Sequence, residues 1–283
     1  MLTLAIQNKG RLNEDTVALL ASAGIRTSES HRKLISEAEG FPLKILYLRD
    51  DDIPQAVALG VADLGIVGLN EVLEKEQDVD IVMNLGFGKC RLSIAVPKDS
   101  PYPGLKWLEG KRIATSYPTI LRKYLSDNGV HAFLQQIAGS VEVAPVVGLA
   151  DAIFDIVSSG GTLVQNGLAE KDVAIRSEAV LIATPDLDPA KLPLVDKLKF
   201  RFSSIIESRG MKYVLMNIPK TAVAQATKLI PGMKSPTILP LADPDWMSLH
   251  VVMKERNLWE NIEKLKEIGA EDILVLELEN VIR

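Results

Sequence analysis

The chain has 283 residues, of which 47% are hydrophobic, and its formal net charge is −5 at pH 7. This length predicts two or three domains of about 100 to 200 residues with ample apolar core, and the negative charge argues against a nucleic-acid surface. No apolar run reaches the ~18 residues that span a bilayer, and the N-terminal residues lack the basic region and cleavage site of a signal peptide. We therefore expect a cytoplasmic enzyme or sensor.

Cysteine and histidine are sparse in this sequence. Cys90 is the single cysteine, which excludes an intrachain disulfide, and the three histidines are scattered. Their spacing predicts no metal cluster, so any metal is expected to arrive with a phosphorylated ligand.

Strands alternate with helices through the first two thirds of the sequence, a pattern typical of α/β folds with largely parallel strands. The first predicted elements are a strand at Leu2 to Ile6, a helix at Asn13 to Ala23, a strand at Ile45 to Leu48, a helix from Ile53 and a strand at Leu64 to Val67. The tetrad Gly60 to Asp63 before the last of these strands recurs as Gly148 to Asp151 before a later one. This echo predicts that two lobes repeat one unit.

A second series of elements begins after a proline-rich turn within Lys89 to Pro118. It starts with a strand at Arg112 to Thr115 and a helix at Thr119 to Asp127. We expect the chain to cross between the lobes near Cys90 and Arg91.

The apolar segment Ser177 to Thr184 is expected to return as a strand to the first lobe. The predicted domains are then lobe I (1–90, with the returning segment 178–190) and lobe II (91–177). Two α/β lobes joined by two crossings form a cleft, where ligands bind by preference.

The most informative stretch is DAIFDIVSSGGTL, from Asp151 to Leu163. Ala152 to Val157 are apolar except for Asp155 and rich in β-branched residues, which predicts a buried strand. A turn of small residues follows, made of Ser158, Ser159, Gly160, Gly161 and Thr162. A helix from Thr162 would add unpaired N–H groups, and glycine lets an anion approach the backbone, so the turn could hold a phosphate.

The acidic residues beside this turn refine the expected ligand. Carboxylates repel phosphate but accept hydrogen bonds from sugar hydroxyls, so Asp151 and Asp155 favour a ribose phosphate. The alternative is an ordinary Ser/Gly turn in which Asp155 caps a neighbouring backbone group. The stretch alone leaves both interpretations open.

After Pro193 the pattern changes to an amphipathic helix at Leu194 to Ser208 and a small module. The predicted elements of the module are a strand at 213–218, a helix at 221–229, strands at 236–241 and 247–253, a helix at 257–267 and a strand at 272–278. This βαββαβ order indicates a ferredoxin-like domain, placed at 191–283. Such a domain serves either oligomerisation through sheet edges or regulation by a small ligand, and the attached α/β unit favours regulation.

Seven motifs agree with one family. They are QNKGRL (Gln7 to Leu12), RDDDIP (Arg49 to Pro54), DLGIVG (Asp63 to Gly68), GKRIATSYP (Gly110 to Pro118), GSVEVAP (Gly139 to Pro145), DAIFDIVSSGGTL and SPTILPLAD (Ser235 to Asp243). In this order and over essentially the whole chain they resemble the long form of ATP phosphoribosyltransferase, the first enzyme of histidine biosynthesis. The resemblance implies an α/β fold with a bilobal, periplasmic-binding-protein-like catalytic unit and a C-terminal ferredoxin-like (βαββαβ) regulatory domain that binds histidine. It also implies Mg²⁺ dependence and a homo-hexamer built from dimers.

The resemblance further implies a reaction. The phosphoribosyl group of phosphoribosyl pyrophosphate passes to N1 of the adenine of ATP, pyrophosphate leaves, and histidine inhibits. Because the nucleophile is an unprotonated ring nitrogen, the reaction needs no serine or cysteine nucleophile and no activating histidine. Catalysis then depends on aligning two anionic substrates and neutralising the departing pyrophosphate with Mg²⁺, cations and backbone donors.

The family pattern implies site residues for both substrates. For phosphoribosyl pyrophosphate they are the turn Ser158 to Thr162 at the 5′-phosphate, Asp151 and Asp155 at the ribose hydroxyls, and Glu142 near the ribose or Mg²⁺. The expected catalytic cations, facing the pyrophosphate or the nucleotide phosphates, are Lys9, Arg11 and Arg49. The expected nucleotide contacts are Gly10, Asp63, Asn70 and Tyr117, with the Tyr117 ring stacked on adenine. Thr237 and Asn217 are expected to bind the regulatory histidine.

Several of these positions also have a plainer alternative. The turn Lys9 to Arg11 could be solvated, and Tyr117 before a proline could be a packed turn residue. Arg49 could instead form a surface pair with the carboxylates of Asp50 to Asp52.

Asp63, like its echo Asp151, could serve only to turn the chain into a strand. Asn70 is a good helix N-cap before Glu71 to Lys75, and we favour that role for it. His31 and His131 are expected at surface or packed positions, and His250 is expected in the core of the last domain.

Two other functional classes compete with this enzyme. A non-catalytic small-ligand sensor of the same bilobal fold would bind its ligand without turnover. A cytoplasmic enzyme similar to prephenate dehydratase would bind an aromatic carboxylic acid, which has no phosphate for the turn Ser158 to Thr162.

Overall fold

The structure is a computed structural model that describes residues 1–27 and 34–282. His31, expected at a surface or packed position, lies outside the described residues. The chain divides into two compact units, Met1–Lys197 and Leu198–Arg283. Within the described residues, none of the helices combines the length and the apolar character that a membrane span requires.

The first unit alternates strands with short helices. Its strands are β1 (Leu2–Gln7), β2 (Ile35–Glu37), β3 (Leu43–Leu48), β4 (Leu64–Gly68), β5 (Asp80–Asn84), β6 (Cys90–Pro97), β7 (Arg112–Thr115), β8 (Phe133–Gln136), β9 (Ala152–Val157), β10 (Leu168–Ser177) and β11 (Ala179–Ala183). Its helices are α1 (Arg11–Ser22), α2 (Ile53–Ala58), α3 (Leu69–Lys75), α4 (Pro118–Asp127) and α5 (Gly161–Gln165). The division between the units falls within α6 (Leu192–Ser208).

The first lobe is built on a sheet with the strand order β2-β3-β1-β4-β11-β5. Strands β3, β1 and β4 run parallel, whereas β11 lies antiparallel between β4 and β5. Ala5, Val67 and Ile182 on the central strands pack with Ile53 and Val57 of α2. These strands are therefore almost wholly apolar, as expected of parallel strands buried in a layered α/β fold.

The second lobe is built on a sheet with the strand order β10-β6-β9-β7-β8. Strands β8, β7 and β9 run parallel, and β6 is antiparallel to both β9 and β10. β6 and β10 connect this lobe to the first one, and they pair side by side with Cys90 opposite Ser177. The crossing expected near Cys90 and Arg91 is thus the start of an inner strand of the sheet. Residues 92–96 of this strand are buried and, apart from Ser93, apolar.

The second unit follows the βαββαβ order. Its elements are β12 (Met211–Pro219), α7 (Val223–Leu229), β13 (Thr237–Pro240), β14 (Trp246–Lys254), α8 (Glu255–Glu267) and β15 (Glu271–Glu277). The sheet is antiparallel in the order β13-β14-β12-β15, which is the ferredoxin-like arrangement.

Alternate residues of β12 and β14 bury one face of this sheet. Met216 and Val251 pack against Ala226 of α7 and Leu258 of α8. His250 lies on the opposite face, so the expectation that it belongs to the core is wrong. The reason is the period of two in a strand, which turns His250 away from its buried neighbours Leu249 and Val251.

Candidate functional site

A cavity of about 600 Å³ lies between the two lobes of the first unit. It forms where β3, β4, β7 and β8 end, because the carboxyl ends of parallel strands and the loops that follow them meet at one edge of each sheet. Its lining includes Arg49, Glu71 and Glu74 from the first lobe and Tyr117, Gly139 and Asp155 from the second. This interlobe cavity brings Arg49, Tyr117 and Asp155 together, as a shared site requires.

A second cavity, of about 170 Å³, lies beside the turn that follows β9. Its lining includes Glu142, Asp155, Ser158, Ser159, Gly160 and Thr162. Asp155 lines both cavities and therefore joins the turn to the interlobe cleft.

The turn itself is a left-handed connection between β9 and α5. Gly160 has φ 81° and ψ 0°, a conformation that strains any residue with a side chain. The N–H of Gly161 donates to Oγ of Ser159 at 3.4 Å, and the side chains of Ser158 and Ser159 are exposed. The helix begins at Gly161, one residue before the predicted start, and spans only five residues. The turn thus presents hydroxyls and backbone N–H groups to the second cavity.

Arg91 supports this turn from the neighbouring strand. Its guanidinium donates from Nη1 to the carbonyl oxygen of Ser158 at 3.0 Å, and it grips Glu170 with two further bonds of 2.5 and 2.6 Å. Ser93 also donates to Glu170 at 2.7 Å. The hydrogen bonds from Arg91 hold the pKa of Glu170 below its usual range. The sequence marks Arg91 only as a crossing point, and its role at the turn depends on pairing across two strands.

Asp155 is a half-buried carboxyl group at the junction of the two cavities. Burial raises its pKa to about 6, a hydrogen bond from N–H of Ile156 opposes the shift, and the charge of Glu142 adds to it. The Ile156 N–H donates to Oδ1 at 2.8 Å, so the backbone-capping alternative describes one of its contacts. A carboxyl group whose pKa is raised toward neutral pH, and which lies at the junction of two cavities, is typical of a functional site.

Glu71 connects the lobes at the base of the interlobe cavity. Its Oε1 accepts hydrogen bonds from the Tyr117 hydroxyl at 3.0 Å and from Nδ2 of Asn70 at 3.0 Å. Ser177 in turn donates to Oδ1 of Asn70 at 2.8 Å. The pKa of Glu71 is raised, chiefly by burial and then by the charge of Asp50. Glu71 was not predicted as a site residue, since only the fold brings it to Tyr117.

The N-cap role favoured for Asn70 is wrong. Gly68 is the N-cap of α3, and Asn70 is the second residue of that helix. The Asn70 side chain is buried and forms hydrogen bonds with Glu71, Tyr117 and Ser177. The physical reason is that β4 extends to Gly68, so the helix begins earlier than the polar Asn70 suggests.

Glu74 makes a second contact between the lobes. Its two carboxylate oxygens accept hydrogen bonds from the N–H groups of Thr119 and Ile120, each at 3.0 Å. These N–H groups belong to the first turn of α4, which has no side-chain cap of its own. A carboxylate from the first lobe thus supplies the cap of a helix in the second.

The expected cations lie on the first lobe, where β1 and β3 end side by side. Gln7 and Leu48 are paired at the ends of these strands, so Lys9 and Arg11 follow one strand and Arg49 follows the other. Lys9, Gly10 and Arg11 are exposed, and Gly10 precedes α1 with φ 92°. Arg49 pairs with Asp51 at 3.2 Å, as its surface-pair alternative predicts, and still lines the interlobe cavity.

The structure does not bring Asp63 or Asp151 to the cavities described above. Each lies at the amino end of its strand, the end remote from the cleft, and each carboxylate is already engaged. Asp63 binds Lys191 at 2.7 Å, and Asp151 binds Arg112 at 3.2 Å. The hydrogen bonds from Arg112 hold the pKa of Asp151 below its usual range. The strand-turning alternative accounts for both residues.

In the second unit, Asn217 and Thr237 lie on the sheet face opposite the core. Asn217 is paired with Ser248 and Thr237 with His250, so the two candidates flank β14 on the same face. Asn217 donates to Asp272 at 3.0 Å. His250 contacts Tyr213 through Nδ1 at 2.6 Å and Ser248 through Nε2 at 3.0 Å. This face therefore carries a polar cluster that a small ligand could contact.

The carboxylates of Glu142 and Asp155 and the serine hydroxyls give the second cavity several oxygen atoms that could act as metal ligands. Within residues 1–27 and 34–282, no group of three or more histidine, cysteine, aspartate or glutamate side chains could hold a metal ion alone. Mg²⁺ commonly binds through one or two carboxylates plus substrate phosphates, and these residues fit that mode.

The fold and the cleft define a bilobal α/β unit with a separate ferredoxin-like domain. The bilobal unit has the fold of periplasmic binding proteins. A histidine kinase sensor domain with similarity to those proteins superposes on it with a TM-score of 0.50 and 14% sequence identity. The superposition covers 74% of this chain and 91% of the sensor domain. The HisG complex with HisZ from Thermotoga maritima, an ATP phosphoribosyl transferase, gives a TM-score of 0.64 at 31% identity over 74% of this chain and 99% of that one.

Sequence comparisons identify the family. The model for HisG, ATP phosphoribosyltransferase, matches residues 49–204, and the model for the HisG C-terminal domain matches residues 208–280. The ATP phosphoribosyltransferase of Bacteroides thetaiotaomicron is 55% identical over 282 residues, covering 100% of both chains. The chain belongs to the ATP phosphoribosyltransferase family in its long form. It is an enzyme of this type, a transferase of histidine biosynthesis, and the predicted fold class and family resemblance are confirmed.

Proposed function

We propose that this enzyme transfers the phosphoribosyl group of phosphoribosyl pyrophosphate to N1 of the adenine of ATP. The bond between C1 of the ribose and the pyrophosphate oxygen breaks, the bond between C1 and N1 forms, and the products are phosphoribosyl-ATP and pyrophosphate. The observation that carries the proposal is the position of Asp155, which lines both the cavity at the turn Ser158 to Thr162 and the interlobe cavity. A donor anchored in the turn would present its ribose to the cleft where a second substrate can meet it.

In this proposal the turn binds the 5′-phosphate of the donor. The exposed hydroxyls of Ser158 and Ser159 and the N–H groups around the left-handed Gly160 are the available donors. The glycines let an anion approach the backbone closely. Arg91 holds the carbonyl of Ser158 and so fixes the entry to the turn.

Asp155 and Glu142 act on the ribose side of the donor. A carboxylate accepts hydrogen bonds from the ribose hydroxyls, and Asp155 lies next to the turn on the cleft side. Glu142, together with the phosphate oxygens, would hold Mg²⁺. The bound ion would supply positive charge that stabilises the pyrophosphate as it leaves.

Lys9, Arg11 and Arg49 provide the positive charge of the protein itself. They follow the adjacent strands β1 and β3, and their exposure lets them face anionic groups in the cleft. We assign them to the pyrophosphate and to the phosphates of ATP. Their contribution is electrostatic, because the adenine nitrogen is already a nucleophile and needs no base.

Tyr117 and its neighbours form the nucleotide side of the proposed site. The Tyr117 ring lines the interlobe cavity, and Asn70 lies behind it in the same hydrogen-bond network. A ring in this position can stack on adenine and hold N1 toward the ribose. Gly10 allows a nucleotide phosphate to approach the start of α1. Asp63 and Asp151 have no substrate contact in this scheme.

The second unit is proposed to be the regulatory domain. Asn217 and Thr237 share the sheet face opposite the core with Ser248 and His250, which supports a site for histidine as a feedback inhibitor. We propose a homo-hexamer built from dimers as the active assembly, with allosteric coupling between histidine and the cleft. ATP and the ribose donor are cytoplasmic metabolites, so the proposed location is the cytoplasm.

One assay tests the reaction. The enzyme is mixed with ATP, phosphoribosyl pyrophosphate and Mg²⁺, and the release of pyrophosphate is followed together with the new ultraviolet absorbance of the modified adenine. Both signals should depend on all three components. Tight binding of the substrates without either signal would instead support a sensor.

A matched pair of variants tests the turn. Ser159→Asp should abolish activity, because a carboxylate there repels the donor phosphate, whereas the neutral Ser159→Asn should retain most of it. Ser159 is a better position for this test than Gly160. Gly160 has a positive φ that strains any side chain, so a substitution there would affect folding as well as charge. Normal turnover by folded Ser159→Asp would argue against the turn as the phosphate site.

Regulation is tested in the same assay with millimolar histidine. The rate of the unmodified enzyme should fall, and Thr237→Ala should weaken the inhibition while leaving the basal rate intact. A rate that histidine does not affect would reject feedback inhibition. Sedimentation of the full chain tests the proposed hexamer.

A further inference from the structure

We propose that Glu71 is a positioning residue for the nucleotide, which acts by holding the hydroxyl of Tyr117 across the cleft and so fixing the orientation of that ring. The inference rests on the proposed transfer to ATP and on Tyr117 as its adenine contact. Glu71 belongs to the first lobe and Tyr117 to the second. The Glu71 carboxylate therefore ties the direction of the ring to the first lobe, with a longer hydrogen bond from Asn70 to the same hydroxyl at 3.4 Å.

The hydrogen bonds around Tyr117 leave its ring little freedom. The hydroxyl donates to Oε1 of Glu71 at 3.0 Å, and the N–H of Tyr117 donates to Oγ1 of Thr115 at 2.8 Å. The ring is held at both ends, by its backbone and by its hydroxyl. The hydroxyl is thus committed to the protein. Tyr117 is 9% exposed and packs with Ile120 and Leu121 in the core of the second lobe, as its packed-residue alternative predicts, so a ligand can reach only the part of it that lines the interlobe cavity.

Glu71 is itself fixed by a chain of side chains that begins on an interlobe strand. Ser177 at the end of β10 donates to Asn70 at 2.8 Å, and Asn70 donates to Oε1 of Glu71 at 3.0 Å. Asn70, Glu71 and Ser177 are 5%, 6% and 5% exposed. The orientation of the tyrosine is therefore tied to the strand that connects the lobes.

A carboxylate is an expensive acceptor in this position. Glu71 is buried and, among the described residues, has no ion-pair partner within 4.0 Å; burial and the like charge of Asp50 raise its pKa, and the Tyr117 hydrogen bond and the more distant charge of Lys75 oppose that shift only in part. A buried charge without a partner destabilises a protein, so packing alone does not explain a glutamate here. An acceptor that reaches both Asn70 and Tyr117 does explain it.

The central test compares Glu71→Ala, Glu71→Gln and Tyr117→Phe in steady-state assays of the full chain. Glu71→Ala should raise the KM for ATP by roughly tenfold or more and change the KM for phosphoribosyl pyrophosphate by less than about threefold. Glu71→Gln should stay within about threefold of the unmodified enzyme, because its amide oxygen accepts both hydrogen bonds. Tyr117→Phe should resemble Glu71→Ala.

Both single substitutions remove the hydrogen bond between Glu71 and Tyr117. The KM for ATP of the double variant Glu71→Ala/Tyr117→Phe should therefore be no higher than that of the single variant with the higher KM. Val57→Ala is the control for a merely structural loss, because Val57 is fully buried in the core of the first lobe and lines neither cavity. It should lower the melting temperature and leave both KM values unchanged. Melting temperatures of all variants show which are folded, and Glu71→Gln and Tyr117→Phe keep the test valid if Glu71→Ala unfolds.

The outcomes separate this inference from the proposed function. If the unmodified enzyme forms no phosphoribosyl-ATP, both are overturned. If the unmodified enzyme turns over but Glu71→Ala behaves like Val57→Ala, only the positioning role is overturned. Multiplicative effects in the double variant, or a Glu71→Gln as damaged as Glu71→Ala, would also overturn it.

Discussion

Asp63 and Asp151 each make the same two hydrogen bonds to the backbone of one residue on a neighbouring strand, one through the aspartate N–H and one through its carboxylate. The N–H of Asp63 donates to the carbonyl of Thr3 at 3.0 Å, and the N–H of Thr3 donates back to Oδ2 of Asp63 at 2.8 Å. Asp151 repeats this arrangement with Arg112, at 2.8 and 2.9 Å. The repeated tetrad in the sequence is therefore a repeated structural device, in which an aspartate joins a strand to its parallel neighbour.

This relationship predicts that Asp63 acts on stability. Asp63 is 8% exposed and binds both Thr3 and Lys191, so Asp63→Ala leaves a partly buried N–H and an ammonium group without their acceptor. The free energy of unfolding should fall by about 2 to 3 kcal/mol, measured by urea denaturation. The KM for ATP should not change. A large rise in that KM with unchanged stability would return Asp63 to the nucleotide site.

Much of the fold follows from local sequence pattern. The strand Ala152–Val157 has the bounds that its apolar, β-branched run predicts, and the second unit has the predicted βαββαβ order. The strands β6 and β10 were not predicted. The sequence of β6 begins at the expected crossing and precedes a proline-rich turn, and β10 carries charges on its exposed side. Their pairing with each other is a long-range contact that no short window contains.

The candidate site was predictable only in part, for a related reason. The turn after β9 combines glycine, hydroxyls and an acidic neighbour within a few residues, so its sequence makes it a candidate, and the family resemblance then favours a phosphate site over an ordinary turn. Glu71 and Arg91 act through partners far away in the chain, at Tyr117 and at Ser158. Nothing in their immediate sequence distinguishes them from other charged residues near strand ends. Such residues become visible once the lobes are assembled.

Arg91 is predicted to position the turn. Arg91→Lys keeps the charge but loses the planar fork that binds Glu170 and the Ser158 carbonyl together. The KM for phosphoribosyl pyrophosphate should rise roughly tenfold while the KM for ATP changes little, since the hydrogen bond lost is at the turn proposed to bind the donor.

Arg112→Lys is a matched control for Arg91→Lys. Arg112 makes the same kind of fork, to Asp151 and to the carbonyl of Gly148, at the other end of the lobe. Its substitution should leave both KM values within about twofold. Equal effects of the two substitutions on the KM for the donor would contradict a specific role of Arg91.

Glu74 is predicted to stabilise the start of α4 from the opposite lobe. Glu74→Ala removes the acceptor of two N–H groups in the first turn, which should lower the free energy of unfolding by about 1 to 2 kcal/mol in urea denaturation. The exposed pair of Lys123 and Asp127 near the end of the same helix serves as the control. Asp127→Ala should change stability by less than about 0.5 kcal/mol, and an equally small effect of Glu74→Ala would contradict the capping role.

Asp155 is predicted to make stability depend on pH in an unusual direction. Burial raises its pKa to about 6 from an ordinary value of 3.8, so the folded protein binds this proton more tightly than the unfolded chain does. The stabilisation is complete below the unfolded pKa and is lost as the pH rises through about 6. The difference between the two pKa values corresponds to at most about 3 kcal/mol.

The neutral Asp155→Asn variant does not lose this stabilisation. Its free energy of unfolding, relative to that of the unmodified enzyme, should therefore increase by roughly 1 to 3 kcal/mol between about pH 4 and about pH 7, measured by urea denaturation without substrates or Mg²⁺. Glu170→Gln is the control of opposite sign, because the hydrogen bonds of Arg91 lower the pKa of Glu170 and stabilise its charged form. That variant should become relatively less stable as the pH rises. The difference in free energy of unfolding between Asp155→Asn and the unmodified enzyme could instead stay constant with pH. That result would mean that Asp155 is solvated in the folded protein, and that its position at the junction of the two cavities has no energetic cost.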